Sequence, residues 1–339
     1  MYSLLRPVLF RLDAELAHEQ TLDWLGALHR LRLTGLVTDR VPADPVNLWG
    51  LSFPNRVGLA AGLDKNGDYI DALGALGFGH VEVGTVTPRP QPGNPAPRLF
   101  RLPAAEALIN RMGFNNRGVD HLVKNLQRRT FEGIVGVNIG KNIDTPVEQA
   151  ADDYLACLQA VHPYADYITV NLSSPNTPGL RSLQFGEVMA RLLGRLVERR
   201  DQLDGRHQRR VPLLVKIAPD MTAGELELVA QTLLDSGVDG AIATNTTVER
   251  SLVAGQPHAD EAGGLSGAPL LDLSTRALAD LVGHLQGRMP VIGVGGVVQG
   301  EGAARKVQAG AQLVQLYSGL IYQGPALIRE AQVAILGAR

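Results

Sequence analysis

The stretch VNLSSPNTPGLR, residues 170–181, places Asn171, Ser173, Ser174, Asn176 and Thr177 between an apolar lead-in and two prolines and a glycine. Such a cluster of amides and hydroxyls can bind a polar ligand, and a hydroxyl there can act as nucleophile or as proton acceptor. No histidine lies near Ser174 in the chain, and NLSSPNT is not the G-x-S-x-G turn of hydrolases, so a nucleophile has no local support. A serine is a weak base and serves as one only where charge is relayed or water is excluded. From these residues alone, Ser174 as base and Ser174 as turn former are equally open.

Other residues suited to chemistry stand at the ends of short apolar runs. Lys216 interrupts LLVKIAP, where a lysine is costly unless its charge has a partner, either an ion pair or an anionic or electron-accepting ligand such as a reduced flavin. Lys65 follows GLAAGLD. Asn110, Asn171, Asn176 and Asn245 each offer a donor and an acceptor, which suits a planar, amide-bearing ligand. Carboxylates are nearly absent from these run ends, which argues against glycosidase-type pairs and magnesium chemistry. GVGG with Gly295 and Gly296, YSG with Tyr317 and Ser318, and Gly267 in GGLSG either let strands turn into helices or cradle a phosphate; the doublet together with the polar run end favours phosphate.

The elements that must position these residues follow a rhythm. Eight apolar runs, at 56–62, 80–87, 134–140, 167–174, 211–219, 240–246, 290–296 and 313–319, read as buried strands, and helical patterns separate them. Residues 225–237 place Leu226, Val229, Leu233 and Leu234 on one face, and 301–311 behaves similarly. Eight such units predict an α/β fold, a (β/α)8 TIM barrel with its site at the C-terminal strand ends. A doubly wound sheet is the alternative, but GLAAGLDKNG matches its G-x-G-x-x-G turn poorly. The strand ends then supply Ala60, Ala61, Gly62 and Lys65, Thr85 and a long loop to Asn110–Phe114, Asn138, Asn171 and Ser174, Lys216, Thr244 to Thr246, Gly295 and Gly296, and Tyr317 and Ser318.

Two segments stand outside the rhythm. Residues 44–56 suggest a short hairpin plugging the barrel bottom. Residues 1–40 form an amphipathic helical hairpin, with Leu4, Val8, Leu12 and Leu16 every four residues and a second stripe of Leu22, Leu25 and Leu28. It either packs on the barrel, the simpler reading, or meets lipid or a greasy ligand with Arg6 and Arg11 near head groups. Residues 41–339 would form the barrel.

Composition sets limits on partners. The 339 residues are 45% hydrophobic and 19% charged, with a net charge of −2 that gives no field for nucleic acid. The one cysteine, Cys157, falls at helical spacing and reads as a core thiol, and no two of the eight histidines are four apart, so no metal site is expected. No apolar run spans a membrane, and Arg6, Arg11 and Asp13 interrupt the N-terminal apolar stretch where a signal peptide would need continuity, so the expected location is the cytoplasm or its membrane face.

GLAAGLDKNG, INRMGFNN, NIGKN, NLSSPNTPGLR, LVKIAPD, IATNTT, GGLSG, IGVGG and QLYSG together resemble, in order, the motif set of the dihydroorotate dehydrogenases. The N-terminal hairpin is similar to that of the class 2, quinone-dependent, membrane-associated branch. A class 1 member would lack the hairpin and carry cysteine at 174; a tRNA dihydrouridine synthase would also carry a cysteine in this loop, on a basic surface. The resemblance implies oxidation of dihydroorotate to orotate in pyrimidine synthesis, with FMN as cofactor, a membrane quinone as acceptor, and peripheral contact with lipid at the cytoplasmic face. It implies Ser174 as the catalytic base, with Phe114 beside it and Thr177 as a possible relay. For FMN it implies Ala61, Gly62, Leu63, Asp64, Lys65, Thr85, Asn138, Asn171, Lys216, Thr244, Gly267, Gly296, Tyr317 and Ser318. For the substrate it implies Lys65, Asn110, Arg111, Met112, Gly113, Phe114, Asn171, Asn176, Asn245 and Thr246. For the quinone it implies His18, Arg101 and Tyr317, and with them the lipid-facing reading of the hairpin.

Overall fold

The computed structural model describes residues 2–338. In chain order the elements are α1 (Tyr2–Leu9), α2 (Ala14–Arg30), β1 (Val46–Leu48), β2 (Leu51–Phe53), β3 (Val57–Leu59), α3 (Ile70–Gly74), β4 (His80–Val86), β5 (Leu99–Leu102), β6 (Ala107–Asn110), α4 (Val119–Arg128), β7 (Ile134–Ile139), α5 (Ala150–Val161), β8 (Tyr167–Asn171), α6 (Gly186–His207), β9 (Leu213–Ile217), α7 (Ala223–Ser236), β10 (Gly240–Ala243), β11 (Gly264–Gly267), α8 (Leu271–Leu285), β12 (Val291–Val294), α9 (Gly300–Gln308), β13 (Leu313–Leu316), α10 (Ser318–Gln323) and α11 (Ala326–Gly337).

All eight expected strands form. They pair in parallel in the order β10, β12, β13, β3, β4, β7, β8, β9, and β9 pairs back with β10 to close the barrel. The helices between them bury one face each against it, which is why the strands read as continuous apolar runs. Helix α7 shows how locally such an element is specified. Thr222 accepts from the Glu225 N–H at 3.3 Å, Glu225 accepts from the Thr222 N–H at 2.7 Å, and Gly237 ends the helix in left-handed backbone. Cys157 on α5 is fully buried in the core, and burial pushes its thiol up.

The β1–β2 hairpin does plug the bottom. Phe53 is fully buried, meets the His80 ring edge-on at 5.4 Å, and packs with Tyr167, Leu214 and Ile242. Gly58 makes room: a Cβ there would stand 2.1 Å from the His80 ring. The N-terminal stripe, by contrast, is divided. The chain turns after α1, Asp13 caps α2 by accepting from the N–H groups of Glu15 and Leu16, and Leu12 falls in the turn. One small sheet was not expected. Within the long loop after β4, β5 and β6 form an antiparallel sheet that β11 completes.

Candidate active site

Register brings the strand ends level. Asn171 on β8 lies beside Lys216 on β9, and Gly84 on β4 beside Asn138 on β7. These ends open on a cavity of about 140 Å³. Ser174 lines it, and its hydroxyl oxygen accepts one hydrogen bond, from the Asn176 N–H at 3.2 Å. Ser173 does not line it: Ser173 is fully buried, donates to Asn171 Oδ1 at 3.2 Å and accepts from Asn245 Nδ2 at 3.0 Å. Thr177 is buried beside this loop, and its Oγ1 has no hydrogen-bond partner.

Two cations face the cavity. Lys216 is 5% exposed; burial pulls its ammonium down, and the Glu82 carboxylate opposes that fall. Lys65 is partly exposed; burial draws it to about 8, opposed chiefly by Glu15 and assisted by Arg98. Neither lysine's ammonium group has a hydrogen bond or an ion pair within 4 Å among the described residues. Two lysines in one cavity whose ammonium groups lack a hydrogen bond or close ion pair call for an anionic ligand.

Below the cavity a one-way chain of hydrogen bonds sets the amide orientations. Asn245 Nδ2 donates to Asn171 Oδ1 at 3.3 Å, Asn171 Nδ2 to Thr85 Oγ1 at 3.0 Å, Thr85 Oγ1 to Asn138 Oδ1 at 2.6 Å, and Asn138 Nδ2 to Glu82 at 2.8 Å. Glu82 also accepts from Tyr167 and Gln315 at 2.9 and 2.8 Å. An acceptor-only carboxylate at the end of the chain forces each amide to turn its donor downward.

On the opposite rim, Gly295 and Gly296 lie in left-handed backbone at φ +106° and +82°, and the Ser318 hydroxyl donates to Ser266 at 2.8 Å. At Gly296 a Cβ would stand 2.2 Å from Leu271 Cα, so only glycine fits.

A second cavity, of about 370 Å³, lies between the N-terminal helices and the barrel wall. Its lining is mostly apolar, and its polar members include His18, Thr21, Thr38, Asp39 and Arg101. Arg101 donates to the carbonyls of Leu9 and Leu12 and lies 4.9 Å over the Phe10 ring. Burial, with Lys65 as the next cause, draws His18 down to about 4. Tyr317 lines both cavities.

The family model for dihydroorotate dehydrogenase matches residues 45–335. The chain belongs to the dihydroorotate dehydrogenase family. It is 61% identical to the dihydroorotate dehydrogenase (quinone) of Azotobacter vinelandii over 339 residues, 100% of this chain and 98% of that protein. It is 59% identical to the protein of the same name from Saccharophagus degradans, over 100% of both chains. The crystal structure of Eimeria tenella DHODH in complex with ferulenol superposes with a TM-score of 0.86 at 38% identity, covering 95% of this chain and 90% of that one. The ligand-free Eimeria tenella structure gives the same TM-score and identity.

Most expected site residues converge on the first cavity. Ala61, Gly62, Lys65, Thr85, Asn171, Lys216, Thr244, Gly267, Gly296, Tyr317 and Ser318 line it, as do Asn110, Met112, Gly113, Phe114, Ser174, Asn176, Asn245 and Thr246. Four others point elsewhere. Leu63 lines the second cavity. Asp64 is buried, accepts from the N–H groups of Asp68 and Tyr69 at 3.0 and 2.8 Å, and is pushed up to about 6 by burial. Asn138 is fully buried behind Thr85. Arg111 pairs with Glu261 at 2.6 Å and stacks over Phe100 at 4.6 Å. Ser266, Gln315 and the supporting Glu82 are additions. Glu82 carries a readable signal: a charge inside an apolar strand, as at Lys216.

Proposed function

We propose that this protein oxidises dihydroorotate to orotate with FMN as cofactor and passes the electrons to a membrane quinone. The observation that carries the reading is Ser174 facing one cavity with two lysines that lack ion-pair partners, Lys65 and Lys216. The cavity fits the cofactor: a buried lysine without a close ion pair suits an electron-accepting ring, and Gly267, Gly296 and Ser318 suit a phosphate. Bound there, FMN supplies the hydride acceptor for the substrate's C6 and the two-electron link to quinone.

The chain's own groups would do the rest. Ser174 Oγ would take the C5 proton and release its own hydroxyl proton to water, with Thr177, a buried hydroxyl in the same loop without a hydrogen-bond partner, as the candidate relay. Asn110, Asn171, Asn176 and Asn245 hold the ring amides, with Asn171 and Asn245 orientation-locked by the Glu82 chain. Lys65 holds the substrate carboxylate. Lys216 stabilises negative charge gained by the cofactor ring. Quinone enters through the second cavity past His18 and Arg101, with Tyr317 between the two sites. Leu4, Val8 and Trp24 are exposed on the hairpin and would rest in lipid as a peripheral contact at the cytoplasmic face; among the described residues no helix is long and apolar enough to cross a membrane.

The test is orotate formation by purified protein with quinone, fumarate or NAD as acceptor. Turnover with quinone and none with the other two is expected; turnover with fumarate or NAD but not quinone would overturn the acceptor assignment.

A further inference from the structure

The N-terminal hairpin reaches the substrate side of the first cavity through one ion pair. Glu15, in the first turn of α2, receives Arg98 Nε at 3.1 and 3.0 Å on its two oxygens and Arg98 Nη2 at 2.6 Å. Both side chains are largely buried. Arg98 Nη1 turns the other way and donates to the carbonyls of Pro92 and Asn94 at 2.6 and 2.8 Å. One rigid guanidinium fork therefore ties α2 to the segment 92–98.

That segment is bonded to residues of the site. The Asn94 N–H donates to the Met112 carbonyl at 3.0 Å, and the Arg111 N–H to the Arg98 carbonyl at 2.8 Å. Asn94 Nδ2 donates to the Arg111 carbonyl at 2.8 Å and to the Asn176 carbonyl at 3.4 Å. Asn176 in turn supplies the one hydrogen bond that Ser174 Oγ accepts. The path from hairpin to serine is Glu15, Arg98, Asn94, Asn176, Ser174.

A second observation converges on Glu15. The charged and titratable groups around Lys65 are Glu15, Glu19 and the neutral His18 from α2, Arg98 from the 92–98 segment, and Asp64 from its own loop. Of the anions, Glu15 acts on the lysine most strongly, and Arg98 acts against it.

We propose that Glu15 and Arg98 are positioning residues for the substrate: their ion pair fixes the 92–98 segment against the Ser174 loop and sets the electrostatic surroundings of Lys65, the substrate carboxylate's partner. The helix that admits the electron acceptor thereby also prepares the substrate side. This rests on the reading of Lys65 as the carboxylate's partner.

The two residues push Lys65 in opposite directions, and that separates them from a structural staple. Orotate is titrated into the flavin-loaded protein at a series of pH values, and binding is read from the visible flavin absorption. In the parent, affinity falls as pH rises through about 8, where Lys65 loses its proton. Glu15→Gln removes the anion, so this limb moves to lower pH. Arg98→Met removes the competing cation, so the limb moves to higher pH, while the untied segment weakens orotate about five-fold below it. Glu15→Asp keeps the charge and leaves the limb in place. Limbs that stay put in both Glu15→Gln and Arg98→Met, or move the same way, would overturn the proposal while leaving the substrate reading intact. A parent protein whose flavin spectrum ignores orotate at every pH would remove the substrate reading, and this inference with it.

Discussion

Asn245 donates from Nδ2 to the Ser173 hydroxyl at 3.0 Å, and this bond decides which of two adjacent serines faces the cavity. Ser173 also donates to Asn171, so its hydroxyl is committed on both sides, while Ser174 opens on the ligand space. Ser173→Ala leaves Asn245 short of an acceptor and costs about 1 kcal/mol of stability. Its flavin reduction by dihydroorotate stays within about three-fold of the parent, because no reacting atom is lost. Denaturant unfolding and anaerobic stopped-flow measure the two effects; a Ser173→Ala rate loss larger than that of Ser174→Ala would exchange the roles.

Lys216 separates ligand binding from folding. Its burial without an ion pair is a cost to the empty protein. Lys216→Met is therefore as stable as the parent, or more so, when both are stripped of flavin. With flavin bound, its midpoint potential drops by about 30 mV for each 1.4 kcal/mol of lost preference for the reduced ring. Dye-equilibrated reduction reads the potential. A less stable stripped variant with an unchanged potential would make Lys216 structural.

The hairpin presents Leu4 at 80%, Val8 at 61% and Trp24 at 53% exposure. Each apolar side chain buried in lipid contributes about 2 kcal/mol, so Val8→Glu with Trp24→Glu abolishes vesicle co-sedimentation. Turnover with vesicle-embedded quinone falls at least about ten-fold, and flavin reduction by dihydroorotate is unchanged. Undiminished vesicle binding by the double variant would place the membrane contact elsewhere.

Acid stability should report the barrel floor. Burial holds His80 at about 3 in the folded protein, against 6.5 for a free imidazole. Between those values the unfolded chain binds the extra proton, so His80 makes stability fall as pH drops below 6.5 towards 3, by up to about 1.4 kcal/mol per pH unit. His80→Gln shows a correspondingly shallower fall in unfolding free energy from pH 6.5 downward. Equal slopes in variant and parent would mean that His80 is protonated when folded.

The barrel was legible because buried parallel strands show themselves as β-branched runs ending in polar or glycine residues, and those endings, with the positions the family resemblance added, put nineteen candidate residues on one cavity. What stayed hidden depends on partners far along the chain. Arg111 turns away because Glu261, 150 positions later, claims it, and the other edge of the β5–β6 hairpin is paired by β11 from far along the chain. Asp64 and Asn138 stand at the expected strand ends but spend their polar atoms on backbone amides and on Thr85 and Glu82. Position along a strand is written in spacing; side-chain direction is settled by long-range pairing.

The most direct test of the whole account is anaerobic mixing of flavin-loaded Ser174→Ala with dihydroorotate. The variant should retain its flavin and bind orotate like the parent, while bleaching of the flavin slows by about 10² to 10⁴, the contribution of a positioned base. Bleaching at the parent rate would show that another group takes the C5 proton and would contradict the assignment of Ser174.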